Sequence, residues 1–256
     1  MKTKQEITND WLPRYTGRQI NEFTPYILLC NFSHYLDLFA DKYNVPIIGK
    51  DKAMPNVSAN GITLIDFGIG SPNAATIMDI LTPIQPKAVL FLGKCGGLKK
   101  KNALGDLILP LAAIRAEATS DNYLPKMVPA LPAFRVQKAT SETIQEFEKD
   151  YWTGVVYTTN RRVWEYDKEF REYLISTRAN SIDMETATLF TVGFTNSIPC
   201  GALLLVSDRP LEPGGVKTEV SDKKVTDTYV NNHLEIGIKT LEHIMNSKET
   251  MKHLRF

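Results

Sequence analysis

The chain has 256 residues, with 30 lysines and arginines against 29 aspartates and glutamates, so its formal net charge is +1. A hydrophobic fraction of 43% at this charge argues against intrinsic disorder and against a polycationic nucleic-acid binder. No apolar run approaches the roughly 20 residues that cross a bilayer, and the polar N-terminus lacks the apolar core of a signal peptide. Three widely spaced cysteines suit reduced thiols. We therefore expect a soluble cytoplasmic protein without a nucleic-acid or membrane partner.

Short apolar runs alternate with amphipathic stretches along the whole chain, which predicts an α/β fold with a mostly parallel sheet. The runs are continuous, and this indicates strands that are buried on both faces. No linker-like segment divides the chain, so a single domain over residues 1–256 is expected. The predicted strands are Tyr26–Cys30, Ile62–Phe67, Ala88–Leu92, Leu107–Ile114, Gly154–Thr158 and Ala202–Val206.

A glycine-containing turn, Gly68-Ile69-Gly70, joins the second predicted strand to a helix. Ser71 is the expected N-cap of this helix, and Pro72 suits its first position. The glycines would let backbone N–H groups approach a ligand, although a tight turn without a ligand explains the pattern about equally well. The dinucleotide-binding fingerprint is excluded because Asn73 occupies its third glycine position.

The segment Gly93-Lys94-Cys95-Gly96-Gly97 ends the strand Ala88–Leu92, at the edge where ligands collect in open α/β sheets. It is not a Walker A loop, because no Gly-Lys-Ser/Thr follows with the required spacing. Lys94 is either an accessible cation for a phosphate or carboxylate, or a solvated turn lysine. The sequence alone favours neither interpretation.

Two long irregular loops are predicted, Ser120–Phe134 with its three prolines and the segment between Asp208 and Lys217. Loops of this length in a compact domain often cover or bind a substrate. Asp208 itself lies at the C-terminal end of the buried strand Ala202–Val206. Partial withdrawal from water raises the pKa of a carboxyl group, which suits a general acid near neutral pH. The alternative is a surface ion pair between Asp208 and Arg209, or a turn cap.

Asp183, Met184 and Glu185 precede a second apolar helix, predicted over Ala187–Phe194. Acids at a helix N-terminus can be explained by the helix dipole alone. The composition of this helix indicates burial, however, and a buried carboxylate needs partners such as sugar hydroxyls. Both a structural and a substrate-binding role therefore stay open for the two acids.

Other chemistries lack support in the sequence. The histidines do not have the spacing of a zinc site, and neither a Gly-x-Ser-x-Gly nor a Cys/His signature occurs. We therefore expect no metal, no organic cofactor and no covalent serine or cysteine intermediate.

In this order, the motifs Gly-x-Gly, Gly-x-Cys-Gly-Gly, Asp-Met-Glu and Val-Ser-Asp resemble the purine nucleoside phosphorylase and nucleosidase superfamily, and within it the AMP nucleosidases. The resemblance covers nearly the whole chain. It implies a three-layer α/β/α sandwich with a central, mostly parallel mixed sheet. It also implies assembly into homo-oligomers, commonly hexamers, and cleavage of the bond between purine and ribose in a small-molecule substrate.

The resemblance further implies roles for individual residues. Asp208 would protonate N7 of the leaving base, Glu185 would hold the ribose 2′ and 3′ hydroxyls, and Met184 would pack beneath the sugar. Protonation of the base improves the leaving group, while an anion near the sugar opposes the positive charge that develops at C1′. Gly70 and Lys94 would belong to the substrate-binding residues.

Departures from the family pattern bear on the substrate. Phe91 stands where phosphorylases carry an arginine that grips inorganic phosphate, and this favours hydrolysis. Arg162 and Trp164 match the AMP nucleosidases and, with the extra cation Arg161, would bind the nucleotide phosphate or the base. His34 replaces a usual arginine.

The predicted reaction is therefore hydrolysis of AMP to adenine and ribose 5-phosphate. Two alternatives remain at this stage. One is cleavage of an unphosphorylated purine nucleoside by phosphate or water. The other is nucleotide binding without turnover, which the altered segment Asn160–Arg162 motivates.

Overall fold

The structure, a computed structural model, describes residues 1–247; residues 248–256 of the predicted domain lie outside the described part. The strands are β1 (Tyr26–Cys30), β2 (Asn56–Ala59), β3 (Ile62–Asp66), β4 (Ala88–Gly97), β5 (Leu107–Ala116), β6 (Tyr151–Thr159), β7 (Ser181–Asp183) and β8 (Cys200–Asp208). The α-helices are α1 (Lys4–Thr16), α2 (His34–Tyr43), α3 (Ser71–Ile80), α4 (Phe134–Glu146), α5 (Lys168–Thr177), α6 (Thr186–Thr195) and α7 (Glu219–Asn246).

Within residues 1–247 the strands form one mixed sheet, and most of its pairs are parallel. Strand β4 pairs with β1 on one side and β8 on the other, both in parallel. The antiparallel pairs are β2 with β3, β4 with β7, and β5 with β8. The pairings of β4, β8, β5, β6 and β7 close into a ring. The predicted mostly parallel mixed sheet is confirmed.

Helices cover both faces of the sheet and make two separate hydrophobic cores. Helices α1, α3 and α6 contribute Leu12, Ile77 and Leu189 to one core. Helices α2, α4 and α7 contribute to the second, for example through Phe39 and Leu234. Every residue of β4 is buried between these layers, which is why the apolar runs of the sequence are continuous. The three-layer architecture agrees with the prediction.

Two short strands were not predicted, β2 and β7, because neither is a continuous apolar run. Strand β7 is three residues long and includes polar Ser181 and Asp183. Strand β4 is longer than predicted because it continues through Lys94 to Gly97. The expected N-cap role of Ser71 is wrong: Gly70 is the N-cap of α3, and the Ser71 hydroxyl donates to the carbonyl oxygen of Met184 at 2.6 Å.

The two predicted loops are irregular for most of their length. Residues Thr119–Asn122 form a short 3-10 helix before α4 begins at Phe134. After β8 the chain stays irregular as far as Thr218, whose side chain accepts from the Ser221 N–H and caps α7. No helix among residues 1–247 is long and apolar enough to cross a membrane.

His233 joins α7 to β8 inside the second core and is fully buried. Its Nδ1 lies 2.8 Å from the Tyr35 hydroxyl, and its Nε2 lies 3.0 Å from the carbonyl oxygen of Leu203. The carbonyl oxygen can only accept, so Nε2 carries the proton and Nδ1 accepts from Tyr35. Burial lowers the pKa of His233 to about 4.

We predict that His233→Gln weakens the acid sensitivity of the fold. As the pH falls from about 6.5 to 4, unfolded chains take up a proton at residue 233 that folded chains do not, so the free energy of unfolding decreases by on the order of 3 kcal/mol. Glutamine does not titrate and lacks this contribution. Urea denaturation at pH 7 and pH 4 measures the decrease in the free energy of unfolding for the wild type and for the variant. Equal decreases would contradict a lowered pKa of His233 in the folded protein.

Candidate active site

The C-terminal ends of β1, β4, β6 and β8, together with the residues after β7, surround one cavity. Ligands of open α/β sheets bind at this edge of the strands. The cavity brings together most residues that the sequence singled out. Its lining includes Lys94, Arg161, Arg162, Trp164, Met184, Glu185 and Asp208. Gly70 is not part of the lining, although its backbone N–H reaches Glu185.

Glu185 is a buried carboxylate that the backbone holds in place. Its Oε1 accepts from the Gly70 N–H at 2.7 Å, and its Oε2 accepts from the Met184 N–H at 3.2 Å. Gly70 has a φ of 100°, a conformation that favours glycine at the turn that carries this N–H. Burial raises the pKa of Glu185, and the neighbouring charge of Asp183 adds to the increase.

The second acid of the pair, Asp183, is fully engaged by the protein. Its Oδ1 accepts from the Thr158 hydroxyl at 2.7 Å, and its Oδ2 accepts from the N–H and the hydroxyl of Thr186. These contacts tie β7 to β6 and to the start of α6. The structural interpretation therefore holds for Asp183, whereas the substrate-binding interpretation stays open for Glu185.

Asp208 ends β8 and is largely buried, with 11% of its side chain exposed. The Ser207 hydroxyl donates to its Oδ1 at 2.8 Å, and the Lys217 ammonium lies 3.9 Å from the same atom. Burial raises the pKa of Asp208, while Lys217 and Ser207 oppose the increase. The alternative of an ion pair with Arg209 is wrong, because the Arg209 guanidinium faces the carbonyl oxygen of Asn102 at 3.4 Å.

Lys94 is not a solvated turn lysine, because it lies inside β4 with 3% of its side chain exposed, although it does line the cavity. Its ammonium donates to Asp222 at 2.9 Å and to the Thr226 hydroxyl at 2.8 Å, both on α7. It also lies 4.6 Å from the ring centre of Phe32. Burial lowers the pKa of Lys94, and the Asp222 carboxylate opposes that decrease.

The segment after β6 contributes two arginines with different surroundings. Arg161 donates to Asp167 at 2.6 Å and to the Tyr166 hydroxyl at 3.0 Å, and these contacts hold it against α5. Arg162 is 60% exposed, and its guanidinium lies 3.8 Å from Glu165. Trp164 is buried and packs on Phe170.

Two residues at which the sequence departs from the family pattern lie away from the cavity lining. Phe91 is fully buried and packs against Phe67, with ring centres 5.6 Å apart. His34 is exposed at the start of α2. No group of three metal-binding side chains occurs in the part of the chain that the structure describes.

Sequence reasoning missed several cavity-lining residues: Asn31, Glu165, Lys217 and Asp222. Asn31 carried a usable signal, since it follows a predicted strand in the same way as Asp208. Asp222 carried none, because the sequence does not reveal that the first turns of α7 pack against β4.

Comparison with known proteins decides the family. The model of the phosphorylase superfamily matches residues 25–242. The chain belongs to the phosphorylase superfamily. The predicted family resemblance is therefore confirmed, and it covers most of the chain.

Relatives within the superfamily include several activities. The chain is 30% identical to AMP nucleosidase of Escherichia coli K12 over 278 aligned positions, which cover 90% of this chain and 57% of the relative. It thus spans little more than half the length of that protein. It is also 26% identical to guanosine phosphorylase of Halorubrum lacusprofundi, over 69% of this chain and 73% of the relative.

Solved structures agree with this placement. The crystal structure of AMP nucleosidase from Bacteroides thetaiotaomicron is 60% identical in sequence and has a TM-score of 0.84, covering 96% of this chain and 99% of that one. Purine nucleoside phosphorylase from Toxoplasma gondii is 20% identical, with a TM-score of 0.78, over 89% of this chain and 94% of that one. At that identity the likeness concerns the fold alone.

We predict that Asp222→Ala lowers the free energy of unfolding by about 2 kcal/mol, because the buried Lys94 ammonium loses its charged partner. The matched control is Asp10→Ala, which breaks an exposed pair with Arg14 and should cost less than about 0.5 kcal/mol. Urea denaturation of both variants at one pH makes the comparison. Equal losses would show that the Lys94 pair contributes no more than a surface pair.

Proposed function

We propose that this protein hydrolyses the N-glycosidic bond of AMP and releases adenine and ribose 5-phosphate. The observation that carries the proposal is its 60% identity to the AMP nucleosidase of B. thetaiotaomicron over nearly the full length of both chains. The 30% identity to the E. coli AMP nucleosidase supports the same activity. A cavity that contains two buried carboxyl groups with raised pKa values suits this chemistry.

In this mechanism Asp208 is the general acid. Burial keeps its carboxyl protonated to a higher pH than usual, so that it can give a proton to N7 of the departing purine. The base then leaves as a neutral molecule, which is a far better leaving group than an anion. The Ser207 hydroxyl and the Lys217 ammonium stabilise the carboxylate that Asp208 becomes.

Glu185 holds the ribose. The N–H groups of Gly70 and Met184 orient its carboxylate, whose remaining acceptor sites can bind the 2′ and 3′ hydroxyls. The Met184 side chain, which also lines the cavity, packs beneath the sugar. Burial raises the pKa of Glu185 to about 8, and in its ionised form the carboxylate also stabilises the positive charge that develops at C1′ when the bond to the base breaks.

Arg162 binds the 5′-phosphate, because its guanidinium lines the cavity, is largely exposed and has only a distant carboxylate neighbour in Glu165. Trp164 lines the cavity, is buried in a small hydrophobic cluster with Tyr157 and Leu174, and offers the base an aromatic surface. Lys94 adds positive charge to the cavity wall, although Asp222 compensates part of it.

We propose that residues 1–256 form one catalytic domain, and that the protein is a cytoplasmic homo-oligomer, with the hexamer that its family commonly forms as the expected assembly. The family resemblance supports the oligomer, and the composition supports the cytoplasmic location. Neither a nucleic acid nor a membrane takes part in the reaction.

The products distinguish hydrolysis from phosphorolysis. We predict that AMP yields adenine and ribose 5-phosphate at a rate that does not depend on inorganic phosphate, because the family resemblance puts Phe91 where phosphorylases carry a phosphate-binding arginine, and Phe91 is buried in the core and cannot bind an anion. Chromatography of reactions with AMP or adenosine, each with and without phosphate, measures the products. A sugar phosphorylated at C1′ would overturn the hydrolase assignment, and absence of any adenine release would leave a nucleotide-binding protein without turnover.

We predict that Asp208→Asn lowers kcat by roughly 10²-fold or more, because asparagine cannot donate the proton. The wild-type kcat should fall as the pH rises through the raised pKa of Asp208, since the acid is then ionised. The residual activity of the variant should lack this decrease. Initial rates across the pH range, with thermal unfolding as a check on folding, test both points; near-normal turnover of the variant would remove Asp208 from this role.

A further inference from the structure

Asn31 has an unsatisfied polar atom that faces the candidate site. The residue follows β1 directly, lines the cavity and is 6% exposed. Its Oδ1 is buried and has no hydrogen-bond partner among residues 1–247. The other atoms of this kind in the described chain belong to side chains that do not line the cavity. An unpaired buried amide oxygen is costly unless a bound molecule donates to it.

Glu185 fixes which way the Asn31 amide points. The Asn31 side chain lies near Glu185 and opposes the increase in the pKa of Glu185, as an amide N–H group facing the ionised carboxylate does. An ionised carboxylate can only accept, so the amide nitrogen faces Glu185 when Glu185 is ionised. The Oδ1 atom is therefore left for a donor from the cavity.

The strand order puts Asn31 and Asp208 on opposite sides of β4. Asn31 follows β1, Asp208 ends β8, and both strands pair with β4. Neighbouring strands are about 4.8 Å apart, so the two flanking strands are separated by roughly 10 Å. If a nucleotide lies across the end of β4 with its base at Asp208, its C1′ lies between Asp208 and Asn31, and the face of C1′ opposite the base is then on the Asn31 side. In an in-line displacement, water attacks from that face.

We infer that Asn31 Oδ1 accepts a hydrogen bond from the attacking water and directs its lone pair at C1′. The inference deepens the proposed function and rests on it. The water oxygen bonds to C1′ while the bond from C1′ to the base breaks. The base keeps that electron pair and takes the Asp208 proton at N7. Water releases one proton to solvent, and solvent returns one to Asp208.

The neighbouring polar groups are less suited to this task. Water needs acceptors for its O–H groups if a lone pair is to face C1′, whereas the Lys94 ammonium can only donate. Both oxygens of Asp183 are already occupied by Thr158 and Thr186. Glu185, the carboxyl group that interacts with Asn31, binds the sugar hydroxyls in the proposed mechanism.

The test is Asn31→Ala assayed with AMP in water and in water containing methanol. We expect kcat to fall roughly 10- to 100-fold with KM within about threefold, because the lost hydrogen bond acts on the nucleophile and not on substrate binding. We also expect the ratio of methyl riboside 5-phosphate to ribose 5-phosphate to rise about threefold or more, since the variant no longer favours water over methanol.

The matched control is Asn102→Ala, which removes another buried asparagine with an unpaired atom but lies outside the cavity lining. It should keep the wild-type product ratio and kcat. Thermal unfolding shows that each variant is folded at the assay temperature, and Asn31→Leu, which has a similar shape and no acceptor, replaces Asn31→Ala if the alanine variant does not fold.

The outcomes separate the two proposals. Wild-type hydrolysis of AMP together with an unchanged product ratio in the Asn31 variant overturns the role of Asn31 alone. A higher KM at unchanged kcat does the same, because it indicates a contact with the sugar. A wild-type protein that does not hydrolyse AMP overturns the proposed function and, with it, this inference.

Discussion

The site depends on two carboxyl groups that the sheet withdraws from water. Burial of a charged carboxylate is unfavourable unless hydrogen bonds compensate for the lost hydration. Glu185 receives this compensation from two backbone N–H groups, and Asp208 receives it from Ser207 and, at longer range, Lys217. The compensation is incomplete, so both pKa values are raised. The same partial withdrawal from water makes Asp208 a suitable acid. It leaves Glu185 with acceptor sites for a sugar.

Opposite charges connect these carboxyl groups to α7. The Asp222 carboxylate lies between the ammonium groups of Lys94 and Lys217, at 2.9 and 3.7 Å, and Lys217 in turn approaches Asp208. The four side chains alternate in charge from Lys94 through Asp222 and Lys217 to Asp208. Lys94, at one end of this series, is buried inside β4. The irregular segment after β8 and the first turns of α7 are therefore held against the cavity by electrostatics as well as by packing. Their position affects the charge environment of Asp208.

Glycine and serine residues allow the loops to approach one another at this edge. Gly70 adopts a positive φ that lets its N–H reach Glu185, and Ser71 donates to the carbonyl oxygen of Met184. Both contacts join the end of β3 to the segment between β7 and α6. The expected capping role of Ser71 was wrong because this tertiary contact uses the hydroxyl. The local sequence predicted the helix, but it did not predict the partner.

The sequence by itself determined the α/β class, the buried strands and the positions of Asp208 and Glu185, because continuous apolar runs and motifs at strand ends are local patterns. Tertiary structure showed why Asp183 and Glu185 differ, since the two acids share the same local sequence and are distinguished by the contacts with Thr158, Thr186 and Gly70. It also decided that Lys94 is buried against Asp222, a residue 128 positions further along the chain. Contacts of this kind depend on which elements pack together, and no local pattern encodes that pairing.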